Sequence, residues 1–181
     1  MEGYVNLSFE AQEAYPPVRA EGRNQKIGAA ILDNVGGGNS EISAVAMYVY
    51  DHLVTHGLDE VAEAFHKISI VEMHHLEIFG TLALQLGEDP RLWGVNQGRK
   101  SWWSPGYLSY PRQLGPLLRY AVREEKASIR KYRAQARWIP DQNVTANVRR
   151  IVADEERHLE VLTELYDTYV GGGFSGPPPS L

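Results

Sequence analysis

The 181-residue sequence contains no cysteine, and this absence removes several classes of site at once. Disulfides, thiolate-ligated zinc and iron–sulfur clusters all need cysteine sulfur. The sequence also lacks an 18-residue apolar stretch free of charges, and no basic segment followed by an apolar run stands near its start. We therefore expect a cytoplasmic protein with no membrane partner.

A strong excess of either charge is absent too, because the net charge is only -5. Such a balance gives no electrostatic reason to expect a nucleic acid as partner. Hydrophobic residues make up 43% of the chain, which is typical of a globular protein rather than a disordered one. The length fits one domain with a single core.

Apolar residues recur at helical spacing in four long stretches, which predicts four helices. Three glycines at 36–38 interrupt an earlier helical pattern that starts near Asn24, so we expect a break there. Asp59 and Asp141 are the predicted N-caps of the second and fourth long helices. The four stretches cover residues 41–56, 59–86, 111–139 and 141–166.

The connection between the second and third helices, residues 88–111, is far longer than two antiparallel neighbours need. A crossover of this length is needed when those two helices run parallel. The fold class is therefore predicted as all-α, a ferritin-like four-helix bundle with a long crossover. Its parts are an extended arm (1–24), the bundle (25–170) and a flexible tail rich in glycine and proline (171–181).

Glutamates and histidines interrupt the apolar stripes at helical spacing. Glu72 and His75 lie three residues apart, which places both on one face of a helix, and the same spacing joins Glu155 to His158. The two other helices carry Glu41 and Glu125 in their apolar stripes. Burying these carboxylates costs several kcal/mol unless cations compensate, so the pattern favours a metal site over surface ion pairs. Carboxylate and imidazole ligands suit two manganese or two iron ions per chain.

A third pair with the same spacing, Glu63 and His66, serves as an internal contrast. Glu63 lies nine residues before Glu72, and this spacing places the two glutamates on opposite faces of a helix. We therefore predict that Glu63 and His66 face solvent and bind no metal.

With these four glutamates, the two histidines and the crossover, residues 15–168 resemble the ferritin-like di-metal carboxylate superfamily. The glycines at 36–38 ahead of Glu41, and the sequence Ile-Val-Glu-Met-His-His-Leu-Glu at 70–77, are most similar to its manganese catalase and rubrerythrin-like branch. The resemblance implies that Glu72 and Glu125 bridge two metals and act as the catalytic carboxylates. The remaining implied ligands are Glu41, His75, Glu155 and His158.

The resemblance also indicates residues around the ligands. Asp154 is similar to a family carboxylate that accepts the second ring proton of a histidine ligand. In manganese catalases the glutamate matching Glu155 lies outside the ligand set, whereas rubrerythrin-like proteins use it as a ligand, and the sequence leaves both roles open. Tyr48 and Tyr132 each follow a proposed ligand by seven residues, so they either hydrogen-bond near the metals or simply pack in the core.

Three functions fit the resemblance. The first is disproportionation of hydrogen peroxide by two manganese ions, which suits a sequence without cysteine-bound redox centres. The second is oxidation of iron(II) with oxygen or peroxide, and the third is a metal-braced structural protein of a coat or shell. We expect a small-molecule substrate, hydrogen peroxide or oxygen, and a homo-oligomer.

Overall fold

A computed structural model of the protein describes residues 8–96 and 98–171. Within them, most residues lie in five helices, and one two-stranded hairpin stands between the third and fourth helix. No described helix is long and apolar enough to cross a membrane. The elements are α1 (Gln25–Gly36), α2 (Glu41–Val54), α3 (Asp59–Leu86), β1 (Trp93–Asn96), β2 (Arg99–Trp102), α4 (Leu114–Trp138) and α5 (Gln142–Tyr166).

The four long helices α2, α3, α4 and α5 form the bundle, and α1 covers one of its ends. One apolar cluster contains α1, the C-terminal halves of α3 and α4 and the N-terminal half of α5. The other contains α2, the N-terminal halves of α3 and α4 and the C-terminal half of α5. The helices α3 and α4 therefore run in the same direction, as the long crossover predicts. The predicted all-α, ferritin-like bundle is confirmed.

Local sequence signals set some of the helix ends. Asp141 accepts hydrogen bonds from the backbone N–H groups of Asn143 and Val144, as expected of an N-cap. Gly87, with a φ of 100°, ends α3 in the left-handed conformation that glycine adopts without strain. The prediction for Asp59 was wrong by one position, because Leu58 occupies the N-cap of α3 without a side-chain hydrogen bond.

The crossover contains more regular structure than the sequence indicated. Its hairpin pairs Trp93 with Trp102 and Asn96 with Arg99 in antiparallel register. Helix α1 meets β1 so closely that a Cβ atom on Gly36 would lie 2.3 Å from the backbone nitrogen of Trp93. The crossover is thus packed against the end of the bundle that α1 covers.

The part of the predicted arm that the structure describes, residues 8–24, contains no helix or strand and lies on α5 and α3. The Arg150 side chain donates hydrogen bonds to the carbonyl oxygens of Ala11 and Glu13. The backbone N–H of Ala20 donates to the Gln85 side chain. Residues 1–7 of the predicted arm, and the predicted tail after Gly171, lie outside the described residues.

Candidate metal centre

A buried group of carboxylates and imidazoles lies in the middle of the bundle, between the two apolar clusters. Each long helix delivers its residues from an inward position flanked by apolar neighbours, such as Ile68 and Ile78 on either side of the α3 pair. None of the six residues is more than 2% exposed. They are Glu41 from α2, Glu72 and His75 from α3, Glu125 from α4, and Glu155 and His158 from α5.

The first half of this site is centred on His75. Its Nδ1 atom lies 3.3 Å from a Glu72 oxygen, 3.7 Å from Glu41 and 3.6 Å from Glu155. One potential ligand atom from each of these four residues lies within 4.8 Å of every other. This spacing allows the four atoms to bind a single metal ion.

The second half is centred on His158. Its Nδ1 atom lies 3.1 Å from Glu72, 3.4 Å from Glu155 and 3.7 Å from Glu125. These four residues also supply one atom each within a 4.8 Å set. Glu72 and Glu155 belong to both halves, so they are the two carboxylates that the two ligand groups share.

Several polar atoms in this site have no hydrogen-bond partner among the described residues. They include Oε1 of Glu72, Oε2 of Glu125 and both ring nitrogens of His158. The Nδ1 atom of His158 is only 3.1 Å from Oε1 of Glu72, but the two groups are not aligned as donor and acceptor. Buried polar atoms without partners are costly, and atoms that converge on one point without bonding each other fit metal coordination. The donor set therefore fits two metal ions.

Two tyrosines connect the halves in a reciprocal manner. Tyr48, on the same helix as Glu41, donates its hydroxyl hydrogen bond to Glu125. Tyr132, on the same helix as Glu125, donates to Glu41 at 2.5 Å. Both tyrosines are buried, so each fixes the carboxylate that the opposite helix contributes. The structure contains both of the alternatives that the sequence left open, because each tyrosine hydrogen-bonds a glutamate of the site and also packs in an apolar cluster.

Asp154 lies behind His75, on the side away from the glutamates. Its Oδ2 atom accepts a hydrogen bond from Nε2 of His75 at 3.0 Å and another from the Tyr15 hydroxyl at 2.5 Å. Oδ1 accepts from the backbone N–H of Ala11 at 2.7 Å and pairs with Arg150. Because Nε2 carries the proton in this bond, Nδ1 of His75 is left to face the carboxylates.

The pKa values in this site follow from burial and from the neighbouring charges. Burial and the charge of Glu72 raise the pKa of Glu41, and burial with the charges of Glu155 and Glu72 raises that of Glu125. Burial also opposes ionisation of Glu72, but contacts with His158 and His75 outweigh it and lower the Glu72 pKa. Without metal, Glu41 and Glu125 therefore tend to hold protons while Glu72 stays ionised.

Burial alone would lower the histidine pKa values, yet both are raised. Contacts with Glu155 and Glu72 raise the pKa of His158 to about 9, and contacts with Asp154, Glu155 and the other glutamates raise that of His75. Protonation of two histidines and two glutamates adds the same positive charge to the site as binding of two divalent cations. Protons can thus balance the site when metals do not.

Sequence reasoning missed two residues that hold Asp154 in place, Tyr15 and Arg150. Arg150 lies four residues before Asp154 on the same helix, so a spacing signal was available. Tyr15 reaches Asp154 from 139 residues away in the sequence, and no local pattern indicates that contact. The contrast pair Glu63 and His66 is exposed on α3, where Glu63 pairs with Lys67.

One expected role differs from the geometry. The resemblance implied that Glu72 and Glu125 bridge the metals, whereas Glu125 reaches only the half centred on His158. Glu72 on α3 and Glu155 on α5 lie in the centre of the site, and each of these helices also carries one of the two histidines. Glu41 and Glu125 lie at the two outer ends of the site.

A small cavity of about 20 Å³ lies between α2 and α4 and reaches Glu125. A volume of roughly 10–15 Å³ is enough for the centre of one water molecule, so only a very small molecule fits. Serine and asparagine side chains line it together with apolar groups. Its lining includes Asn39, Ser40, Ser43, Met47, Leu108 and Ser128.

Comparison with known structures supports the fold. The crystal structure of KatB, a manganese catalase from Anabaena PCC7120, is similar to this chain with a TM-score of 0.79 and 19% sequence identity. The match covers 94% of this chain and 83% of that chain, and a structure of wild-type KatB from Anabaena gives the same values. At this identity the likeness shows the fold alone. Comparison with curated protein sequences finds no match.

Family assignment rests on the sequence of the bundle itself. The model of the Rubrerythrin family matches residues 38–166, a range that includes all six clustered side chains. The matched segment is well over half of the 181 residues. The protein is therefore a member of the rubrerythrin family.

Proposed function

We propose that this protein is a di-metal oxidoreductase that disproportionates hydrogen peroxide at two manganese ions. The observation that carries the proposal is the pair of overlapping ligand groups, each with four ligand atoms within 4.8 Å of one another. Four glutamates and two divalent cations sum to zero charge, so the loaded site needs no further counter-ion. Similarity in fold to a manganese catalase adds support for this metal and this reaction.

Each residue has a distinct place in the proposed site. Glu72 and Glu155 would be shared by the two metals, since both belong to both ligand groups. Glu41 and His75 would complete the ligand set of one metal, and Glu125 and His158 that of the other. When bound, the metal pair supplies the two-electron exchange with peroxide that side chains alone cannot perform.

Glu125 is the residue proposed to hold and return a proton. In disproportionation, two protons leave the peroxide that becomes oxygen, and two protons join the peroxide that becomes water. Oε2 of Glu125 has no hydrogen-bond partner among the described residues, and Glu125 is one of the residues that line the cavity. Burial and the neighbouring carboxylates Glu155 and Glu72 raise its pKa, which favours its protonated form in the absence of metal.

Hydrogen peroxide is both the oxidant and the reductant in disproportionation, so the proposed reaction needs no electron-transfer partner. A sequence without cysteine has no thiolate-ligated centre to deliver electrons. The cavity of about 20 Å³ beside Glu125 suits a substrate of peroxide size.

Oxygen release from hydrogen peroxide tests the proposal. The manganese-loaded protein, without reductant, should release oxygen far beyond the amount that two metals could produce in a single turnover. Glu125→Gln keeps the side-chain shape but cannot exchange a proton, so we expect kcat to fall by about 100-fold or more. The matched control is Glu63→Gln, which alters an exposed glutamate with the same His spacing and should leave kcat unchanged.

The same experiment separates the other two functions. If the manganese form releases no oxygen and the iron form oxidises many equivalents of iron(II), the protein handles iron instead. If metal binds and both forms are inactive, the metals have a structural role. Either result contradicts the proposed peroxide reaction.

A further inference from the structure

Outside the metal centre, the α4–α5 groove carries opposite charges on its two sides. Basic residues follow α4 at alternating spacings of four and three, which places them on one line along the helix. All of them are exposed. They are Arg119, Arg123, Lys126, Arg130, Arg133 and Arg137.

The opposite side of the groove, on α5 and the turn that follows it, is acidic from Glu156 onward, whereas Arg149 lies beside Arg133 and Arg137 at its other end. Its acidic side chains are Glu156, Glu160, Glu164 and Asp167, and all but Glu156 are exposed. The groove has a volume of about 1060 Å³, and Ile129 and Leu159 contribute apolar surface to it.

The charges of the groove are only partly paired within the chain. Arg133 pairs with Glu156 across the groove, and Glu160 pairs with Arg157 on its own helix. Lys126, Arg130 and Glu164 form no ion pair with any residue in the described ranges 8–96 and 98–171. Both sides therefore have charge available for a partner.

Two-fold symmetry makes this surface complementary to itself. The helices α4 and α5 lie side by side in opposite directions. Rotation by 180° about an axis along the groove places α4 of a second copy over α5 of the first, so that basic residues meet acidic ones. An axis across the groove would instead place basic residues against basic residues. Only the first arrangement places the basic residues from Arg119 to Arg133 against acidic residues of the other copy.

The size of the groove indicates how strong the contact would be. From Arg119 to Arg137 the helix rises by ~27 Å, and two helices span ~20 Å in width. Each copy would thus cover ~540 Å², or ~1,100 Å² in total before surface roughness is counted. This is near the lower limit for specific interfaces, which is about 1,200 Å². A small, charge-rich interface of this kind should be reversible and sensitive to salt.

We propose that the α4–α5 groove is a homodimer interface in which the basic side of one copy contacts the acidic side of the other. A second copy fits the charge pattern better than the C-terminal segment does, because residues 172–181 contain no charged side chain. This interface concerns a surface that the peroxide reaction does not use.

Complementary charge reversal tests the interface. The acidic variant combines Lys126→Glu with Arg130→Glu, and the basic variant combines Glu160→Lys with Glu164→Lys. In either variant alone, like charges would face each other across the two-fold axis, and the dissociation constant should rise by about 100-fold or more. An equimolar mixture should restore the dimer, since acidic α4 then meets basic α5 and the converse.

Sedimentation velocity at low and high salt provides the measurement. The wild-type protein should dimerise more strongly at low salt. The control is the double variant Glu63→Lys with Lys67→Glu, which swaps an exposed ion pair on α3 and should dimerise like the wild type. Unchanged circular dichroism and metal content verify that each variant is folded.

Three results would overturn the proposal. The first is a monomeric wild type at low salt and high protein concentration. The second is an oligomer that neither charge variant weakens, because its interface would then lie elsewhere. The third is loss of the dimer in both variants without recovery on mixing, because the groove would then bind something other than the opposite side of a second copy.

Discussion

His75 and His158 both face Glu72 and Glu155 but are held differently. Nε2 of His75 donates to Asp154, whereas Nε2 of His158 has no hydrogen-bond partner among the described residues. The sequence contains the same asymmetry. Asp154, just before Glu155 on α5, accepts a hydrogen bond from His75 on α3, whereas the matching position just before Glu72 on α3 is a valine, which has no side-chain acceptor. A carboxylate behind a histidine ligand fixes its ring and makes its free nitrogen more basic. The two metal positions should therefore differ in affinity.

Replacing this carboxylate should loosen one metal more than the other. We expect Asp154→Asn to weaken metal binding at the His75 position by roughly 10–100-fold, because the ring loses its negatively charged acceptor. Metal retained after graded chelator treatment measures the effect, and one of two metals should leave first. Tyr15→Phe removes a single hydrogen bond to Asp154 and should have a smaller effect. Equal loss of both metals from Asp154→Asn would contradict the assigned asymmetry.

At the scale of elements, the sequence predicts the helices better than their connections. Apolar periodicity and end signals such as Asp141 and Gly87 are local, so they indicate where helices run and which glutamates face inward. The hairpin was not predicted, because its strands are short, β2 is exposed, and β1 packs against the distant α1. The reciprocal tyrosine contacts and the Tyr15–Asp154 bond also join distant segments, so no spacing within one helix predicts them.

The close approach of α1 to the hairpin gives a prediction at this scale. In Gly36→Ala the new Cβ would lie 2.3 Å from the backbone nitrogen of Trp93, so backbone must move. We expect the free energy of unfolding to fall by about 1–3 kcal/mol, as overpacked sites typically show. Urea unfolding measures it. Gly57→Ala is the control, because nothing lies within 4 Å of its new Cβ. Equal stability of the two variants would mean that α1 and the hairpin are not packed this closely.

At the scale of the whole molecule, the bundle has two apolar ends joined by a polar centre. This arrangement makes the free energy of unfolding depend on how the negative charge of the buried carboxylates is balanced. Without metal, protons on the histidines and on two glutamates provide that balance, and with metal the cations do. Composition and periodicity indicated that cations are needed, but the exchange between protons and metals depends on distances that only the folded chain defines.

The metal-free protein should therefore lose stability as the pH rises. The pKa of His158 is raised from 6.5 to about 9, so its contribution, on the order of 3 kcal/mol, is fully present below pH 6.5 and lost as the pH rises through 9. Metal-bound histidines carry no such proton. Between pH 6.5 and pH 9, the gap in Tm between the metal-bound and metal-free forms should widen by roughly 5–10 °C.

Calorimetry of both forms across this pH range provides the check. The lowered pKa values of Glu72 and Asp154 do not change the expected direction, because their stabilising charges are lost only in acid. A constant gap in Tm, or one that narrows as the pH rises, would contradict proton–metal exchange at the site.

Anomalous X-ray scattering from crystals of the manganese-loaded protein tests the two-metal site most directly. We predict two peaks about 3.5–4 Å apart in the middle of the bundle. One should lie about 2.0–2.2 Å from Nδ1 of His75 and the other at that distance from Nδ1 of His158, with Glu72 and Glu155 between them. A single peak, or peaks only at surface carboxylates while the buried glutamates bind none, would contradict the account.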